Sequence, residues 1–171
     1  MAKNVSDKDF GFKKLNSELK KLEQKPFVKI GVQGKDASDD KTVRNYDGSI
    51  SKLSGITVVE IANFHEFGLG VPERSFLRST LDENRNKYTN IVKELRTEIT
   101  KGVWDTKTAL EILGQKIVSD VKQKIYDGIP PELAESTIQN KTVAGRTGET
   151  PLIDTGQLVQ SITYTVEMKG E

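Results

Sequence analysis

The sequence predicts an α+β fold: a small antiparallel sheet packed against two long helices, with a long polar loop. Three observations lead there. Apolar residues recur at helical spacing over about 76–101 and again from 106 to about 126. Alternating segments at 27–32 and 162–168 read as strands at either end of that helical middle. The stretch from Gly34 to about Gly55 holds few residues worth burying. At 171 residues the chain reads as one domain, 1–171, a size that buries roughly 70% of its unfolded surface. Within it the sequence implies an N-terminal helix at 6–24, a mobile loop at 33–55, a core at 56–126, and a C-terminal loop, short helix and strand over 127–171.

Phe12, Leu15, Leu19 and Leu22 form one stripe of the first helix, with Ser6 or Asp7 as cap and Pro26 as terminator. In Phe27-Val-Lys-Ile-Gly-Val32, Val28, Ile30 and Val32 share a face. The Asp-Gly step in Tyr46-Asp-Gly-Ser-Ile50 favours a hairpin turn inside the polar loop, which is read as a contact arm that orders on assembly. Thr57-Val-Val-Glu60 is a capping box opening a helix that Gly68 stops. Ser75 is placed to cap a helix over about 76–101 ended by Gly102, and Thr106 one running to about Tyr126. Leu110, Leu113, Ile117, Val121 and Ile125 make the apolar face of the latter. Asp127-Gly128 and Pro130-Pro131 end it, a short helical turn and a Gly/Thr-rich loop follow, and Thr155-Gly156 starts a small helix. In the last strand Ile162, Tyr164, Val166 and Met168 share a face, and the first and last strands can pair.

Composition excludes several classes. Lys plus Arg number 26 against 25 Asp plus Glu, so the net charge of +1 lacks the basic excess of a phosphate-binding protein. There is no cysteine, which removes disulfides and thiolate metal sites and suits assembly in a reducing cytoplasm. The first residues lack the apolar core of a signal peptide, and no segment approaches the ~20 apolar residues that span a bilayer.

Three motifs tempt a catalytic reading. His65-Glu66 resembles the start of a zinc-protease helix, but position 69 is Leu and the chain has no second histidine. Gly68-Leu-Gly70 lacks the third glycine of a dinucleotide loop, since position 73 is Glu. Leu152-Ile-Asp-Thr-Gly156 resembles an aspartic-protease loop, which a homodimer could complete by pairing two carboxylates. Only 15 residues follow Gly156, too few for the rest of such a subunit. The simpler reading makes Asp154 or Thr155 a helix cap and lets His65 and Glu66 brace a helix end. Arg74 and Arg78 are expected to pair with Glu66, Glu73, Asp82 or a neighbouring subunit. No catalytic residue, cofactor site or metal site is assigned.

The same residues carry a resemblance. The chain is similar to the tail-completion (neck, or minor tail) proteins of long-tailed bacteriophages, a virion morphogenesis family. The resemblance rests on Lys29-Ile-Gly-Val32, on Ala62-x-x-His65-Glu66-Phe67-Gly68 leading to Pro72-x-Arg74-x-Phe76-Leu-Arg78, and on Pro130-Pro131, Thr137-Ile138 and Pro151-Leu152-Ile-Asp154-Thr155-Gly156-x-Leu158 through Ile162. Ser75 stands where the family often has proline, and Thr142 follows Lys141 where a Lys-Gly step is common; both bear on turn geometry. The resemblance implies a structural virion protein of the neck or tail that completes the head-proximal end of the tail, helps head–tail joining, and assembles in the host cytoplasm. Its partners would be further copies in a ring, expected to be hexameric, and tail terminator, tail tube or head-completion proteins. It implies no membrane partner and no specific nucleic acid, although the ring would line the DNA channel. The alternatives are another neck connector (a tail terminator or head-completion subunit), a nucleic-acid or peptide-binding module, and an aspartic-protease-like enzyme.

Overall fold

A computed structural model describes residues 11–34, 37–45, 47, 49–143 and 150–168. The fold is α+β, as the sequence implies. Strand β1 (Phe27–Val32) and strand β4 (Ile162–Glu167) pair antiparallel, from Phe27 opposite Glu167 to Val32 opposite Ile162. The first and last strands thus meet in one ribbon, as the sequence allows, and it lies on helix α5 (Thr106–Asp127). Ile117, Val121 and Ile125 of α5 pack with Phe76, Tyr88, Leu158, Val159 and Ile162 in the main core, and Ile30 and Val32 of β1 close it. Each such side chain removed from water contributes about 1.5–3 kcal/mol. Gly114 of α5 is buried at the tightest point: a Cβ there would stand 2.5 Å from the Tyr164 ring of β4.

The remaining helices are α1 (Phe12–Glu23), α2 (Val58–Phe67), α3 (Leu77–Glu83), α4 (Arg85–Thr100), α6 (Glu135–Val143) and α7 (Gln157–Ser161). Leu95 and Ile99 of α4, Ala109 of α5, Leu22 of α1 and Trp104 form a second cluster. Helix α1 opens on Gly11 at φ 97° and starts at Phe12; residues 6–10 of the expected helix, with the Ser6 or Asp7 cap, lie outside the described residues. Its stripe is only partly covered, because Phe12 and Leu19 remain exposed.

Four local expectations are corrected. The 33–55 segment, expected as a polar loop holding a hairpin turn, does carry that hairpin, but its arms are strands β2 (Asp40–Arg44) and β3 (Ile50–Thr57), a second two-stranded sheet separate from β1–β4. Backbone pairing and β-branched residues such as Thr42 and Val43 suffice for a strand, and α2 backs both strands. The turn closes where the Asn45 N–H donates to the Ser49 carbonyl at 2.8 Å, and the Asp47 carboxylate accepts the Ser49 N–H at 2.9 Å. Tyr46 and Gly48 of the predicted turn lie outside the described residues. Second, the 76–101 helix breaks at Asn84 (φ −100°, ψ 11°), whose side-chain amide donates to the Thr80 carbonyl at 2.9 Å and competes with the helical ladder. Third, Asp105 caps α5 in place of Thr106, accepting from the Thr108 N–H at 2.7 Å. The Thr106 N–H donates instead to the buried Glu18 of α1 at 2.7 Å. Fourth, the residue at the N-cap position of α7 is Gly156, at φ 79°, and not Asp154 or Thr155. Among the described residues no helix is long and apolar enough to cross a membrane.

Candidate functional site

The capping box at the start of α2 is complete: the Glu60 carboxylate accepts the Thr57 N–H at 2.7 Å, and the Thr57 hydroxyl accepts the Glu60 N–H at 3.3 Å. Gly68 stops the helix in the left-handed region (φ 68°, ψ 34°). A Cβ there would stand 3.1 Å from that of Glu73, so the chain can fold back closely. The Arg74 N–H then donates to the His65 carbonyl at 2.7 Å.

This return places Glu66 under the next helix. Its carboxylate is buried and accepts four hydrogen bonds, from the Ser75 hydroxyl at 2.7 Å, the Leu77 and Arg78 N–H groups at 3.0 Å each, and Arg78 Nε at 3.1 Å. The cap of α3 is therefore supplied by the preceding helix. Ser75, expected to cap, instead holds the Glu66 side chain. A negative charge also suits the partial positive charge of a helix start. Arg78 reaches further, to Glu73 at 2.9 Å, and lies over the Phe67 ring at 4.7 Å from its centre. Pairing of Arg78 with Glu66 and Glu73 matches the expectation from sequence.

Arg74 does otherwise. Its guanidinium is buried and donates from Nε and Nη2 to the Pro131 carbonyl at 2.9 and 2.7 Å, and from Nη2 to the Glu132 carbonyl at 3.1 Å. Among the described residues no carboxylate lies in ion-pair range of it. Burial lowers its pKa below the ordinary arginine value. The bonded atoms are main-chain carbonyls, which a sequence pattern of charges does not reveal. His65 is partly buried and its Nδ1 has no hydrogen-bond partner among the described residues. Its pKa is lowered by burial first, then by the positive charges of Arg74 and Lys41.

The second motif is built as a turn. Pro151 is buried and Leu152 sits at φ 66°, an uncommon conformation for a residue with a side chain. The Lys141 ammonium donates to the Ile153 carbonyl at 2.9 Å. Asp154 is partly exposed between the left-handed Leu152 and Gly156. The two threonine hydroxyls of Thr155 and Thr42 meet at 3.1 Å. Gln157 accepts from the Thr42 N–H at 2.9 Å and donates to the Asp40 carbonyl at 3.1 Å, so this turn holds the β2–β3 hairpin. Gln157 occupied an unassigned position of the motif, and no sequence signal marked it.

Phe76 of the first motif and Leu158 of the second lie in one buried cluster, with Leu152 packed against it. Pro72 and Phe67 stay exposed on the connector. Among the described residues no group of three His, Asp or Glu side chains is placed to hold a metal ion. No protein-family model matches the chain, and no curated protein or solved structure matches it.

Proposed function

We propose that this chain is a structural subunit of the neck or tail of a long-tailed bacteriophage, completing the head-proximal end of the tail and helping to join it to the head. The motif order from Lys29 to Ile162 suggests the family, and one observation about the residues carries the reading. The charged groups of the first motif are committed to the chain's own backbone: Glu66 to the start of α3, Arg74 to the carbonyls of Pro131 and Glu132 between α5 and α6. Such groups fix the path of the chain and leave little for a substrate. Asp154 belongs to a turn ahead of a five-residue helix, and among the described residues the strands form two ribbons of two; an aspartic-protease lobe is β-rich. The subunit works by burying interfaces between copies and neck neighbours.

The test is genetic. A phage lacking this chain should accumulate heads and tails that do not form infectious particles, and the chain supplied in trans should restore joining. Normal particles from the deletion would overturn the proposal.

A further inference from the structure

Helix α1 is held to the rest of the chain more by polar contacts than by apolar burial. Of its 12 residues only Glu18 is buried, and that residue carries a charge. The apolar stripe covers little: Phe12 is 66% and Leu19 40% exposed, and Leu15 and Leu22 are half-buried. The helix packs on α4 and α5. Two open grooves, of 490 and 470 Å³, border it, the first beside Leu15 and Glu18 and the second beside Leu22; Ile99 of α4 lines both. Among the described residues the main core contains no α1 side chain, and Leu22 alone joins the second cluster. What fastens α1 is a latch. The Glu18 carboxylate accepts the Thr106 N–H at 2.7 Å, at the first residue of α5, and accepts from Lys21 Nζ at 2.7 Å. Its charge suits the partial positive charge of that helix start. Lys14 Nζ donates to the Gly102 carbonyl, just past the end of α4, at 3.1 Å. The junction to β1 is short, and Lys25 within it sits at φ 52°, a left-handed conformation uncommon for a residue with a side chain. Beyond the junction, β1 is fixed by β4 and α5.

We propose that α1 is a hinged strap: it lifts as one unit about residues 24–26 when the bond from Thr106 to Glu18 breaks, and the rest of the fold stays intact. Lifting takes Leu22 off the cluster of Leu95, Ile99 and Ala109 and joins the two grooves into one apolar face along α4 and α5. The closed chain keeps that face covered. Opening loses one half-buried apolar side chain from the second cluster and a few polar bonds. Unfolding the main core exposes Phe76, Val121, Ile125 and Ile162, all fully buried, and so lies far higher. Release of Lys25 from the left-handed region offsets part of what opening loses. The motion needs no second copy of the chain and is independent of the neck reading.

Native-state hydrogen exchange on the full chain tests the strap. The Thr106 N–H belongs to the first turn of α5, where no acceptor within the helix is available, so its protection comes from Glu18 of α1. The amides of residues 16–23 and that of Thr106 should therefore share one opening equilibrium, although they belong to different helices. That open form should be at least about 100-fold more populated than the one exposing the amides of 117–125 in α5, and it should respond only weakly to denaturant. Glu18→Ala should speed exchange of the 16–23 amides by at least about 10-fold, as expected for a lost bond to a charged acceptor. Exchange of α1 at the rate of residues 117–125 would overturn the strap, since the helix would then open only with the whole fold. So would exchange graded along α1 with Thr106 still protected, which is fraying from one end. A Glu18→Ala chain whose α1 exchanges at the wild-type rate would remove the latch. The wild-type measurements need no substitution and decide the matter even if Glu18→Ala fails to fold.

Discussion

The Glu66 carboxylate accepts the Leu77 N–H at 3.0 Å, so the last turn of α2 caps the first turn of α3 across a ten-residue gap in sequence. The same oxygen pair serves Ser75, Arg78 N–H and Arg78 Nε. Replacing Glu66 by Ala strands these donors at once and should cost on the order of 3 kcal/mol, since bonds to a charged acceptor contribute about 1.5–3 kcal/mol each and partly recover in water. Glu66→Gln keeps one acceptor oxygen and should cost about half as much. Urea unfolding with an unchanged slope would check both values; a midpoint equal to wild type for Glu66→Ala would mean the node is ornamental.

Arg74 is a clamp of the same kind, working through a planar fork. It bridges the Pro131 and Glu132 carbonyls, 57 and 58 residues away in sequence. Lysine offers no second donor in that plane, so Arg74→Lys should lose about 1–2 kcal/mol. Arg74→Met relieves the buried charge but leaves both carbonyls without their donor, and should cost more, roughly 2–4 kcal/mol. Thermal unfolding of the two variants should rank them wild type, Lys, Met. The reverse ranking would show that desolvating the cation outweighs the bonds it makes.

Local devices were the legible part of this chain. Thr57-Val-Val-Glu60 and Gly68 announce their roles within a few residues, and the alternation of 27–32 and 162–168 marks strands that do pair. What escaped was decided at long range. Ser75 and Thr106 have the chemistry of caps, but Glu66 and Glu18 reach their neighbourhoods from other helices. At 40–57 the Asp-Gly step marked the turn, but the arms bury little, so periodicity is silent about the strands; backbone pairing and the Gln157 contacts hold them. Arg74 binds carbonyls, and every residue has one.

Gly114 gives a prediction opposite to its local preference. On an isolated helix Gly→Ala stabilises by roughly 1 kcal/mol. Here the added Cβ would stand 2.5 and 2.6 Å from Cδ2 and Cγ of Tyr164, inside the ring's contact radius. Gly114→Ala should therefore destabilise by about 1–3 kcal/mol, the range of overpacked cores. Trimming the ring should reverse the sign: Gly114→Ala in a Tyr164→Ala background should be neutral or stabilising. Additive effects in that double-mutant cycle would show that the two sites do not touch.

The last prediction concerns acid. His65 is the single histidine of the chain, so its titration can be followed alone by NMR. Burial, then Arg74 and Lys41, holds its folded pKa below the ordinary 6.5. Above pH 6.5 the imidazole is neutral in both folded and unfolded chains, and its contribution to stability is complete. As pH falls from 6.5 toward the folded pKa, the unfolded chain takes up the proton first, so stability declines through that window. Carboxylates with lowered pKa values act at more acid pH. Asp105 is held down by the Thr108 N–H, and Glu60 by the Thr57 N–H, from ordinary values of 3.8 and 4.5. Glu18 is pushed up by burial but pulled down further by its bonds from Lys21 and Thr106. Their contributions are present above those ordinary values and are lost as pH drops through the folded ones. Two stages of acid destabilisation should appear, and His65→Phe should remove only the first. A wild-type stability profile that is flat as pH falls from 6.5 toward the folded pKa, or one that keeps its slope in His65→Phe, would place the first stage on some other group.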